Sequence, residues 1–273
     1  MDVEARLRGH SDRRIALLID ADNVSHGKIA AMLAELSKYG TANIRRAYGD
    51  WANAGLKGWK NKLHHFAIRP IQQFSYSTGK NATDIALVID AMELLYTQKP
   101  DAFCLASSDA DFTPLVMQLK ASGHDVYGFG ERKTPAPFVN ACTTFLYLDT
   151  LDSPAGCRAQ SDQHPKAESR EATKPKAASA EKKSGKPLSQ NTTLVTILRG
   201  AVDAAVREDG WAAMSAAGSA AKRQAPIDPR NYGVKNFPAL FAATGLFEIV
   251  KADSGQSYVA DKRNKERTPQ PTR

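Results

Sequence analysis

Between residues 13 and 151, short apolar runs and amphipathic stretches take turns along the chain, and this alternation is the strongest constraint on its fold. The runs at 15–19, 102–106 and 144–148 have the unbroken hydrophobicity of strands buried on both faces. More polar strand candidates lie at 42–48, 68–74 and 125–129. Helical patterns fill the gaps at 28–38, 56–66, 84–96 and 113–121. Gly40 and Gly123 stand where C-capping glycine belongs, and Pro114 suits a first helical turn. Parallel neighbouring strands need a crossover, usually a helix, so this pattern predicts an α/β domain with a mainly parallel sheet flanked by helices.

Acidic residues sit at the junctions of that pattern. Asp20 closes the first apolar run, Asp84 opens a helix, and Asp109 and Asp111 follow the run at 102–106. In a parallel α/β sheet, the carboxyl ends of strands and the N-termini of helices share one edge, where ligands bind. The four carboxylates are therefore expected to converge on one crevice. Their mutual repulsion there calls for a hard divalent cation. Asp22 is placed either to join that cation or to cap the next helix, and Asn23 to orient water or hold the Asp20 loop. Ser107 and Ser108 bring hydroxyls to the same edge. Asp90 lies roughly 9 Å and about 120° from Asp84 along their helix, which predicts a salt bridge or a surface position. Lys80 is a candidate contact to phosphate. The six histidines lie outside the aspartate motifs, so a cation-activated water, rather than a Ser, Cys or His nucleophile, fits the pattern.

A composition break divides the chain. Residues 152–190 contain a single Leu and no Ile, Val, Met, Phe, Tyr or Trp, too little apolar surface to offset ordering entropy, which predicts a disordered linker. Beyond it, three helical patterns near 194–206, 214–222 and 236–243 and a hairpin at 247–250 and 256–259 describe a small winged helix at 191–260, followed by a basic tail at 261–273. The formal net charge of +8 is concentrated outside the first domain: residues 13–151 carry 15 Lys/Arg against 13 Asp/Glu, the linker 8 against 5, and the tail 5 against 2. Basic segments of this kind attract polyanions. Three cysteines with no CxxC pair, no span of about 20 apolar residues and no signal-peptide core at the first residues predict a soluble, cytoplasmic protein away from membranes.

The stretches Leu18-Ile19-Asp20-Ala21-Asp22-Asn23, Thr78 to Asp84, and Ser107-Ser108-Asp109-Ala110-Asp111-Phe112 resemble the NYN domains, PIN-like ribonucleases of the LabA type. Tyr127-Gly128-Phe129-Gly130 followed by Thr134-Pro135 is similar to the bacterial branch of that family, and Ser108 stands where the family often has Gly. The resemblance implies a PIN-like, Rossmannoid domain at 13–151. It further implies metal binding by Asp20, Asp84, Asp109 and Asp111 with Asn23 beside them, and Mg²⁺- or Mn²⁺-dependent hydrolysis of RNA to 5′-phosphate and 3′-hydroxyl ends. Residues Tyr232 to Leu240 and Thr244 to Glu248 resemble the OST-HTH/LOTUS domain, which implies an RNA-binding module, with a protein partner as its other reading.

Candidate RNA contacts are Arg45, Arg46 and Lys80 in the first domain, and Lys222, Arg223, Arg230 and Lys235 in the second. Trp51 and Trp59, interleaved with Lys57, Lys60 and Lys62, suit either single-stranded RNA or a core-packed helix. A non-catalytic RNA-binding regulator and a haloacid-dehalogenase-like phosphatase built on Asp20-x-Asp22 are the competing functions.

Overall fold

In the computed structural model the alternation closes into one six-stranded sheet whose strands all run parallel to their neighbours. The structure describes residues 13–74, 82–151, 187–252, 255–264 and 267–271. The expected disordered linker falls almost wholly on 152–186, and Lys80 on 75–81; both lie outside the described residues.

The strands are β1 (Arg14–Asp20), β2 (Thr41–Gly49), β3 (Arg69–Gln72), β4 (Ala102–Ala106), β5 (Asp125–Gly130) and β6 (Thr144–Tyr147), in the order β3-β2-β1-β4-β5-β6. From β1 the chain builds outward through β2 to β3, then returns to lay β4 on the other side of β1 and builds outward again. Strand order reverses between β1 and β4, which makes their carboxyl ends the natural ligand crevice. Helices α1 (Ile29–Leu36) and α2 (Trp59–His65) cover one face; α3 (Ala82–Thr97), α4 (Thr113–Ala121) and α5 (Ala136–Ala141) cover the other. Ile15 to Ile19 and Ala102 to Ala106 are all fully buried, which is why both strands are apolar without alternation. The sequence patterns did not anticipate α5, a short helix opened by Pro135 and Pro137.

Two expected RNA contacts are engaged within this domain. Arg46 forms an ion pair with Asp90, whose other oxygen accepts the Tyr48 hydroxyl, and Arg45 donates to the carbonyls of Ala42 at 2.8 Å and Phe66 at 2.9 Å. Asp90 thus takes the salt-bridge role rather than a place in the crevice. Asp90→Ala is expected to cost about 3 kcal/mol, because it strands a half-buried guanidinium and a buried phenol. Denaturant unfolding checks this, with the acidic edge left intact. The tryptophans also turn inward: Trp59 is buried, and the Trp51 indole donates to the Ile71 carbonyl at 3.0 Å.

The second unit contains α6 (Thr192–Asp203), β7 (Ala212–Ala213), α7 (Met214–Gln224), α8 (Phe237–Thr244), β8 (Phe247–Lys251) and β9 (Ser257–Asp261). Its sheet is antiparallel in the order β7-β9-β8, a winged helix whose wing gains one short strand. Asn236 caps α8 by accepting the Ala239 N–H at 3.0 Å, and Gly245 ends it in the left-handed region at φ 70°. The tail is more ordered than its charge suggested. Asp261 belongs to β9, and the Thr268 carbonyl accepts the Trp211 indole N–H at 2.9 Å while Arg267 lies over that ring. A buried indole needs an acceptor, and the tail supplies it. Among the described residues, no helix is long and apolar enough to cross a membrane.

Candidate active site

The register of β1 and β4 assembles the crevice. Ile19 pairs with Ala106, so Asp20 and Ser107 leave the sheet side by side. Asp20 is 1 % exposed. Its Oδ2 accepts the Asn23 amide at 2.6 Å and the Ser107 hydroxyl at 2.8 Å. Its Oδ1 is buried and, among the described residues, has no hydrogen-bond partner. One oxygen is therefore held in place and the other is left for something the protein does not itself supply.

Asp109 follows at the end of β4. Its N–H reaches the Ser107 hydroxyl at 3.1 Å, and its Oδ1 accepts the Asp111 N–H at 2.9 Å, so Asp109 caps the 3-10 turn Ala110–Phe112. The Ser108 hydroxyl accepts the Glu131 N–H at 2.8 Å and ties this loop to the one after β5. The tie gives the Ser108 side chain a structural place in this loop. Gly130 cannot be enlarged, since a Cβ there would lie 2.7 Å from the Ser107 carbonyl oxygen.

Asp84 stands in the first turn of α3, facing the same edge. Its carboxyl is pushed up to about 6, first by burial and then by the negative charges of Asp20, Asp109, Asp111 and Asp22. That mutual influence places all five carboxylates in one electrostatic field. Asp22 is raised as well, by burial, then by Asp20, with Thr83 hydrogen bonding in opposition and Asp50 adding to the rise. The helix cap expected of Asp22 is instead made by Ser25, which accepts the Gly27 N–H. Asp50 was missed. It follows β2, whose Tyr48 pairs with Asp20, and the rule that found Asp20 would have found it on the adjacent strand. Among the described residues, no three carboxylate, histidine or cysteine groups stand close enough to enclose a metal ion.

The raised Asp84 value has a signed consequence. Its ionised form is disfavoured by the fold, so this group's contribution to stability falls as pH rises from its ordinary value of 3.8 to about 6, and stays lost above that. Asp84→Asn is therefore expected to stabilise the chelator-treated protein at pH 7.5 by about 1 kcal/mol, after discounting for solvent screening of a half-exposed group. Thermal melts in chelator at pH 4 and pH 7.5 test this; a wild type that gains no relative stability at the lower pH contradicts it.

In the second unit, Arg223 and Lys235 are exposed. Lys222 stands 5.8 Å above the centre of the Phe237 ring, beside a hollow of about 410 Å³ lined also by Ser215, Ser219 and Asn236. Arg230 is differently placed: its guanidinium is taken up by Asp228 and Glu35, which removes it from the set of expected phosphate contacts.

Residues 14–149 match the NYN domain family and residues 188–259 match the OST-HTH/LOTUS domain family. An uncharacterized protein of Methanocaldococcus jannaschii is 29 % identical over 124 residues, which are 44 % of this chain and 48 % of that protein. The chain thus spans about half the length of that curated relative. A crystal structure of a protein of unknown function from Vibrio parahaemolyticus matches 52 % of this chain and 96 % of its own, at 17 % identity and a TM-score of 0.43.

Proposed function

Because this chain joins an NYN domain, of a PIN-like nuclease family, to an OST-HTH/LOTUS domain, an RNA-binding module, we propose that it is a divalent-cation-dependent ribonuclease. The observation that carries the reading is Asp20: buried, fixed through one oxygen by Asn23 and Ser107, and unpartnered at the other. An all-oxygen donor set suits Mg²⁺ or Mn²⁺, and Mg²⁺ commonly takes one or two carboxylates and fills its remaining positions with water and phosphate oxygens. A loose cluster is compatible with such an ion. Asp20 would be a direct ligand, with Asp84, Asp109 and Asp111 completing the negative field, directly or through water. The cation would lower the pKa of water and offset the charge that builds on the phosphate.

The protein's own residues do the rest. Asn23 and Ser107 hold the Asp20 carboxylate in one orientation, so little reorganisation accompanies reaction. Asp109 is restrained by its cap, in which Oδ1 accepts the Asp111 N–H. Asp84, with its carboxyl near 6, is ionised at neutral pH and would present a charged oxygen to an incoming cation. Lys222 and Phe237 pair a cation with a half-exposed ring, a combination suited to single-stranded RNA. With Arg45, Arg46 and Arg230 committed to protein groups, Lys222, Arg223 and Lys235 are the remaining described members of the proposed phosphate contacts. The NYN match over 14–149 supports the nuclease reading over the phosphatase one.

The test is incubation of the purified chain with end-labelled single-stranded RNA, in Mn²⁺, Mg²⁺ or chelator, with product ends mapped. Cation-dependent cleavage leaving 5′-phosphates is expected. Binding without cleavage under every condition would favour the non-catalytic regulator.

A further inference from the structure

Asp228, Arg230 and Asn231 lie in and beside the 3-10 turn Pro229–Tyr232 of the second unit, and each makes polar contacts of a kind that a passing surface encounter does not need. Glu35, near the end of α1, is 4 % exposed. A carboxylate so buried must be paired. Arg230 meets it with a two-pronged pair, Nη1 to Oε2 at 2.6 Å and Nη2 to Oε1 at 2.7 Å. The same guanidinium donates through Nε to Asp228 Oδ1 at 2.9 Å and through Nη2 to Oδ2 at 2.8 Å. Burial pushes the Glu35 carboxyl up, but Arg230 and Lys38 outweigh it and hold the group below its ordinary range.

Asn231 makes the second attachment. Strand β6 is the edge of the parallel sheet, and an edge leaves backbone groups without partners. The Asn231 amide donates to the Phe145 carbonyl at 2.9 Å and accepts the Tyr147 N–H at 3.2 Å, satisfying alternate residues of β6 as a neighbouring strand would. Arg132, just past β5, donates to the Asn231 carbonyl at 3.2 Å and pairs with Asp149 at 2.7 Å.

We infer that Glu35 and the β6 edge form a docking surface for the chain's own C-terminal domain, latched by Arg230 and Asn231. The occupant is specified by what the surface lacks. Without Arg230, Glu35 keeps only Lys38 as an ion-pair partner among the described residues; without Asn231, two backbone groups of β6 lose theirs. The C-terminal domain is then a fixed part of the molecule. It is also braced near the crevice, because Arg132 adjoins Glu131, whose N–H holds Ser108.

Charge reversal in the full chain tests the latch by small-angle X-ray scattering. The docked wild type should have a radius of gyration of about 20 Å, against about 26 Å for two bodies joined only by a flexible segment. Arg230→Glu and Glu35→Arg should each raise the radius by about a third, and the double reversal should restore it, with Glu35→Arg now facing Asp228 and Arg230→Glu. Circular dichroism melts of each variant establish that both domains remain folded, and forward scattering should report one chain throughout. The inference is overturned if the wild type already scatters as two independent bodies, if the single reversals leave it compact, if the double reversal stays extended, or if the compact form is a dimer.

Discussion

Asp20→Asn should abolish cleavage while leaving the fold and RNA binding in place. The substitution keeps the shape of the side chain and can still accept from Ser107, but it removes the charge from a buried carboxylate of the crevice. Loss of a charged oxygen ligand to a catalytic cation is worth about 4 kcal/mol at the transition state, or roughly a thousand-fold in rate. RNA affinity should hold or rise, since the proposed phosphate contacts lie elsewhere and one repulsive charge is gone. Single-turnover cleavage and filter binding on the same preparation separate the two quantities. A variant with full activity would remove Asp20 from the centre of the site, and one that neither cleaves nor binds would point to misfolding instead.

Trp211→Ala should unfold the C-terminal domain selectively. The indole is fully buried against Ala213, Tyr258 and Ala260, lies beneath Arg267, and donates to the Thr268 carbonyl. Its truncation is expected to cost about 3–5 kcal/mol. A domain of this size has roughly 4–10 kcal/mol in total, so most of its stability is lost. In differential scanning calorimetry the transition of this domain should fall sharply or vanish, while that of the parallel-sheet domain moves much less. Trp211→Phe retains most of the packing and loses the indole hydrogen bond, so it should cost only about 1–2 kcal/mol. If the two substitutions proved equally mild, the tail would not be part of the domain's structure.

Truncation at the linker would be a poor substitute for these variants. Deletion of the C-terminal unit would also expose Glu35 and the β6 edge. A loss of activity on deletion would then mix lost RNA binding with a disturbed Ser108–Glu131 connection.

The sequence by itself determined the parallel sheet, the winged helix and the places of Asp20 and Asp109 at the ends of β1 and β4. Those features are carried by short-range signals: an apolar run means a strand buried on both faces, and a carboxylate directly after it must stand at the strand's carboxyl end. Gly245 and Asn236 likewise announced their helix ends through neighbours only a few residues away. Only the tertiary structure decided the fate of the cations. Arg45, Arg46, Arg230 and Lys222 look alike along the chain, yet Arg46 meets Asp90 across 44 positions and Arg230 meets Glu35 across 195. Whether an arginine faces solvent or a buried carboxylate depends on which distant elements the fold brings together. Asp50 and Asp22 entered the crevice in the same way, because neighbouring parallel strands end at one edge and set loops from different parts of the chain within each other's field.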